Sequence, residues 1–169
     1  MAVRKQHKKY SRPRKLFEKI RIEGENVLMN KYGLKNKKEI WRADFYIGRI
    51  RVQAKKLITA SQEKQEEFIA RLAKLGLIKS TSKIDDVLAL TKESLLERRL
   101  QTLVLKKGLA KTIKSARQLI NHRHILLNND IVTIPSRIVL LEEENNLKLK
   151  EKKKKEKQSI QEIAEGEEK

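Results

Sequence analysis

"RRLQTLVLKKGLAKTIKSARQLINHRHILLNNDIVTIP", residues Arg98–Pro135, decides the fold. Together with the residues before it, Leu96, Leu100, Leu103 and Val104 recur at helical spacing. That places them on one buried face of a helix capped by Thr91 and closed by Lys106, Lys107 and Gly108. Thr112 caps a second helix that turns Ile113, Ala116 and Ile120 inward and carries Lys114, Arg117, Gln118 and Asn121 on the opposite side. "HILLNNDIVTIPSRIVLL" supplies two β-rich runs around Asn128, Asn129 and Asp130, residue types that tolerate the positive φ of a tight hairpin. The stretch predicts a compact α-α-β-β domain over residues 94–141.

Its charge is as informative as its periodicity. Arg98, Arg99, Lys106, Lys107, Lys111, Lys114, Arg117 and Arg123 cluster with only Glu97 beside them. A merely solvated helix face interleaves Glu with Lys, as residues 62–67 do. Arg98 is expected to point away from the core face and Arg99 to sit on its flank. Both helices then offer basic or amide groups to a phosphate backbone, with the planar arginine forks suited to bidentate contacts and stacking.

Working outward, the whole chain has 169 residues, 38% of them hydrophobic, and a formal net charge of +19. Self-repulsion of that size favours a polyanionic partner, and nucleic acid is the leading one. No apolar run approaches the roughly 18 residues of a spanning helix, and no signal-peptide core follows Met1, so a membrane is not the expected partner. The chain lacks cysteine, which excludes disulfides and thiolate zinc sites and fits an intracellular protein.

Upstream, residues 1–40 read as a basic arm broken by Pro13, Gly24 and Gly33. Its first dozen residues are expected to lack structure when free, and Leu16, Ile20, Val27, Leu28 and Leu34 to anchor the remainder as short helices or turns. Residues 41–93 form a helical subdomain. Ala43, Ile47, Ile50, Ala54 and Leu57 mark an amphipathic helix over Trp41–Ile58 with Arg42 and Arg49 on its basic side. Phe68, Leu72 and Leu75 mark the next helix, ended by Gly76, and Ser82 with Asp85 suggests a capping box for a short third. Residues 142–169 read as a charged tail, mobile or a solvated helix. The expected class is α+β, mainly helical.

Catalysis finds little support. Glycine-rich phosphate cradles, paired carboxylates within a motif and nucleophile elbows are all missing. Asp85 and Asp86 suit the first turn of a helix, where the dipole favours acids. His122 and His124 lack a third ligand, so no metal site is assigned; they stack on bases, contact phosphate or serve structure. Duplex DNA readers of the helix-turn-helix, zipper or zinc-finger kind do not match, which leaves RNA as the favoured nucleic acid.

At this point "LERRLQTLVLKKGLAKTIKSARQLINHRHILLNNDIVTIPSRIV" resembles the RNA-binding domain named after small-subunit ribosomal protein four, called number nine in eukaryotic ribosomes. The arm "YSRPRKLFEKIRIEGENVLMNKYGLKNKKEIWR" is similar to the archaeal and eukaryotic branch of that family, so the likeness runs over roughly residues 8–140. The resemblance implies a primary rRNA binder, seated at a helix junction of the 5′ domain. It also implies neighbouring small-subunit proteins as partners, nearby mRNA, a role in decoding accuracy, and no cofactor, small-molecule substrate or catalytic residue. The ribosome would place it in the cytoplasm, with nucleolar passage during assembly in a eukaryote.

RNA contacts implied by the family fall on Arg98 and Arg99, on Lys114, Arg117 and Gln118, and on His122, Arg123 and His124. Arg4, Lys5, Lys8, Lys9, Arg12, Arg14 and Lys15 of the arm would thread along rRNA, with Lys106, Lys107, Lys111, Arg42 and Arg49 adding phosphate contacts. Gln101 replaces an Asp common in the domain, Asn129 takes the usual glycine position of the turn, and the arm lacks the cysteines of some bacterial members. A nucleolar pre-rRNA processing factor with the same domain is the alternative function. An RNA-modifying enzyme carrying it as an accessory module is a third, for which no catalytic core remains.

Overall fold

A computed structural model describes residues 8–150. The chain runs α1 (Lys19–Tyr32), α2 (Lys37–Leu57), α3 (Gln62–Lys74), α4 (Ile84–Leu88), α5 (Lys92–Glu97), α6 (Leu100–Lys106), α7 (Ile113–Asn121), β1 (Ile125–Leu127), β2 (Asp130–Ile131), α8 (Leu141–Glu144) and β3 (Leu147–Leu149). The fold is α+β and mainly helical. Two cores divide it. Leu28, Ile40, Ile47, Phe68, Leu72, Val87 and Leu96 belong to the first, and Leu100, Val104, Ala116, Ile120, Ile125, Leu127 and Leu147 to the second. Each such side chain stabilises the fold by about 1.5–3 kcal/mol through removal of apolar surface from water.

The helical unit starts earlier than its expected boundary at residue 41. Residues 19–32 form the regular helix α1, packed on α2. Leu28 and Leu34 are buried as expected, but Leu16, Ile20 and Val27 are exposed. The inward stripe is Glu25, Leu28 and Tyr32, because the slot that periodicity would give an apolar residue holds a carboxylate. Glu25 accepts from Arg21 Nη1 at 2.6 Å and from Trp41 Nε1 at 2.9 Å, and Lys37 lies at 3.4 Å. Burial works against its charge, but the Trp41, Arg21 and Lys37 donors outweigh it and hold the carboxyl below its usual range.

A second correction concerns the helix expected to run unbroken from Thr91 to Lys107. It splits into α5 and α6, with Arg99 extended at φ −70°, ψ 142°. The break occurs because the backbone there joins a returning strand-like segment. Leu100 N–H donates to the Arg137 carbonyl at 2.8 Å and Val139 N–H to the Arg98 carbonyl at 3.1 Å. The Thr102 hydroxyl donates to the Leu96 carbonyl at 2.9 Å, satisfying an acceptor freed by the end of α5. Leu96 thus serves the first core and Leu100 the second, although helical spacing put them on one face.

The hairpin forms as expected. Leu127 pairs with Asp130, and the two residues between them, Asn128 and Asn129, sit at φ 52° and 71°. The tail expected from residue 142 does not begin there: α8 follows the hairpin, and β3 pairs antiparallel with the free edge of β1, giving the order β2-β1-β3. Leu147 is buried in the second core, and this one apolar residue suffices to bring a charged segment onto an open strand edge. Residues 151–169 lie outside the described residues. The short helix α4 starts one residue later than the Ser82 reading, with Asp86 accepting from the Lys83 N–H at 2.9 Å.

Candidate nucleic-acid interface

Helix α7 carries the most open cationic face. The Thr112 hydroxyl accepts from Ser115 N–H at 3.1 Å and fixes the start of the helix. Ala116 and Ile120 are wholly buried, so the opposite side is committed to solvent, and there Lys114, Gln118 and Asn121 are exposed. The far end closes with His124 N–H bonded to the Leu119 carbonyl at 3.0 Å and Arg123 N–H to the Ile120 carbonyl at 3.1 Å. That bonding pattern needs a left-handed residue after the cap. The same pattern at the end of α6 uses Gly108 at φ 71°, whereas here Arg123 takes it at φ 62°, with its side chain exposed beside exposed His122. His124 is half-buried. Lys111, Lys114 and Arg123 make no ion pair among the described residues.

Three arginines expected on that surface turn inward instead. Arg98 donates through Nη1 to Glu144 at 2.7 Å and through Nη2 to the Val139 carbonyl at 3.0 Å, clamping α8 and the returning segment. Arg99 is 7% exposed and paired with Glu39 of α2. Burial pushes its guanidinium pKa down against the pull of Glu39, and nearby Arg117 lowers it further. Arg117, expected to leave the core for solvent, donates to the Gly33 carbonyl at 3.3 Å and lies 3.9 Å from Glu39. The cause is common to all three. The acids that neutralise them are remote in sequence, so the local scarcity of carboxylates around residues 98–123 hid their partners.

Of the remaining cations, Lys106 lies 3.2 Å from Glu97, with both side chains about half exposed, a surface pair worth only about 0–1 kcal/mol and easily given up to a phosphate. Lys107 reaches the Glu144 carbonyl. Arg42 and Arg49 are exposed on α2, and Lys8, Lys9, Arg12, Arg14 and Lys15 are exposed along the arm. Arg4 and Lys5 lie outside the described residues. The arm is tied down where it meets α1 by Arg21, which donates to the Lys15 and Leu16 carbonyls at 3.0 and 2.8 Å.

Two residues that hold the two units together were not singled out for that role by the sequence. Gln101 is fully buried and donates Nε2 to the Gly33 carbonyl at 3.2 Å and to the Ile113 carbonyl at 3.0 Å. Glu39 receives Arg99, Arg117 and the Lys35 N–H. A polar residue inside an apolar helical run is the one signal that pointed at Gln101.

The S4 domain family matches residues 98–145, from the α5–α6 break to the end of α8. The chain is 47% identical over 148 residues to small ribosomal subunit protein uS4 of Thermoplasma volcanium, covering 83% of this chain and 74% of that protein. It is 48% identical over 149 residues to small ribosomal subunit protein uS4 of Saccharolobus solfataricus, covering 84% and 81%. The chain belongs to the uS4 family. Its likeness is to the archaeal branch, and the family's similarity reaches across the helical unit as well as the S4 domain. In this uS4 chain, therefore, the Glu39–Arg99 pair joins the S4 domain to a second folded unit.

Proposed function

We propose that this protein is a structural constituent of the small ribosomal subunit that binds small-subunit rRNA and has no catalytic role. The observation that carries the reading is the face of α7 and its closing turn: Lys111, Lys114, Gln118, Asn121, His122 and Arg123 are exposed together without a carboxylate among them. Cations and amides at helical spacing suit the phosphates and sugar edges of folded RNA, which proteins read mainly by shape and backbone. The names of the relatives support the ribosomal setting. In that setting the arm lies along rRNA near a helix junction of the 5′ domain, beside other small-subunit proteins and close to where mRNA enters. Charge reversals on the domain's outer surface then alter miscoding without preventing assembly.

Crosslinking within intact small subunits tests the reading. Peptides spanning residues 111–124 should carry rRNA adducts. Their consistent absence, with arm peptides crosslinked normally, would remove α7 from the interface. Loss of the protein from mature subunits, with retention on precursors alone, would instead favour the processing-factor alternative.

A further inference from the structure

Away from α7, a groove of about 390 Å³ lies between α2 and the segment that returns after the hairpin. That volume falls within the roughly 300–1,000 Å³ typical of ligand sites. Leu95, Leu96 and Ile138 supply apolar floor, and Tyr46, 38% exposed, stands in the wall. Lys9, Arg42 and Arg49 line it as well, none of them ion-paired among the described residues. The one acid in the lining, Glu39, is already engaged by Arg99.

A second observation points to an occupant. Arg99 also lines the groove, and while its Nη2 is spent on Glu39, its buried Nε has no hydrogen-bond partner among the described residues. A buried donor left unpaired is costly, so such a group marks a place where an acceptor is missing. The Nε–H can only donate. The groove therefore calls for a ligand with a flat apolar body, an acceptor on its edge and a negative charge at its rim.

We propose that this groove takes one unpaired nucleotide of a single-stranded RNA segment. The base packs on Tyr46 and the apolar floor with an acceptor edge toward Arg99 Nε, and the adjoining phosphates lie on Arg42, Arg49 and Lys9. A stacked base on an aromatic side chain is the usual device for holding single strands, and it tolerates many sequences. The proposal rests on the reading of the chain as an RNA-binding protein and adds a second, single-strand site to it.

The test uses the full chain with oligo-uridine, uracil offering two carbonyl acceptors, and with a folded small-subunit rRNA fragment. Tyr46→Ala should weaken oligo-uridine binding roughly tenfold, the loss expected for one stacked base, while Tyr46→Phe retains it. Arg42→Gln should flatten the slope of log affinity against log salt by about 0.7, the single-strand value for one phosphate. Ultraviolet crosslinking of oligo-uridine should label the peptide containing Tyr46, and circular dichroism should show all variants folded. Lys114→Gln on α7 separates the two levels of the argument. If it weakens binding of the rRNA fragment while Tyr46→Ala changes neither ligand, the groove proposal is overturned and the α7 reading stands. If wild-type protein binds neither RNA, both fall. If a poly-glutamate peptide displaces oligo-uridine and protects Tyr46 equally well, the groove is a protein-docking site and the nucleotide assignment is wrong.

Discussion

Arg99 and Lys114 both belong to the S4 domain, and each stands near the start of a helix, yet one is 7% exposed and paired with Glu39 while the other is exposed with no acid near it. The difference lies in what packs over each position. The helical unit covers the start of α6 and brings Glu39 with it, whereas nothing among the described residues covers the outward side of α7. A dense run of cations thus divides into a structural set, which holds two units together, and an available set, which faces solvent. Counting charge along the chain cannot separate them.

Arg99→Ala should break the comparison most forcefully. Removing one member of a buried pair costs roughly 3–5 kcal/mol because the other charge is left behind. Glu39 retains some water and its contacts with Arg117 and the Lys35 N–H, so a loss of about 3 kcal/mol is expected, read as a lower denaturant midpoint. Its effect on RNA affinity should be small wherever the protein remains folded. A stable Arg99→Ala protein that has lost RNA binding would move Arg99 into the available set.

Lys114→Glu tests the other side. Stability should change by no more than about 0.5 kcal/mol, as at most exposed positions. RNA affinity should fall by about 2–3 kcal/mol at low salt, with the salt slope flatter by nearly one phosphate. Arg117→Glu should do both kinds of harm, because it would set a carboxylate beside Glu39 and withdraw a donor from the Gly33 carbonyl. Gly33→Ala probes the seam without touching a charge. Gly33 sits at φ +57°, and an added Cβ would come within 2.7 Å of Gln101 Nε2 and 2.8 Å of Ile113 Cγ1. A destabilisation of about 2 kcal/mol is expected from left-handed strain and the forced shift, again with the α7 face intact.

The sequence made the local elements legible and left the long-range partners hidden. Thr112 as a cap, Ala116 and Ile120 as the buried stripe of α7, and the Asn128–Asn129 turn could all be read within a few residues of themselves, because capping, helical period and positive φ are local physics. The split between α5 and α6 was not legible, since Leu96, Leu100, Leu103 and Val104 do follow helical spacing. Only the backbone of residues 137–139 makes an extended Arg99 favourable. The inward turn of Arg98, Arg99 and Arg117 was hidden for the same reason, their partners Glu144, Glu39 and Gly33 being remote in sequence. β3 escaped notice because a strand that covers an edge needs little hydrophobicity of its own.

The smallest effect is expected at Arg123, and it separates structure from function most cleanly. Arg123 is a bulky residue held at φ 62° to close α7, where the equivalent place at the end of α6 belongs to Gly108. A non-glycine residue in the left-handed region is strained by roughly 1–2 kcal/mol relative to glycine, although glycine also gives the unfolded chain more freedom. Arg123→Gly should therefore leave stability unchanged or raise it by up to about 1 kcal/mol, with His124 N–H still bonded to the Leu119 carbonyl. If the side chain serves RNA, the same substitution should weaken binding to a small-subunit rRNA fragment by about 1–2 kcal/mol through loss of one charge-assisted contact. Arg123→Lys should keep part of that affinity without the stability gain. Denaturant titration and a salt series on the same preparations give both readings. A variant that gains stability while losing affinity would mean that the strain at this turn is tolerated for the sake of the contact. A variant that loses stability with affinity unchanged would place Arg123 in the structural set with Arg99.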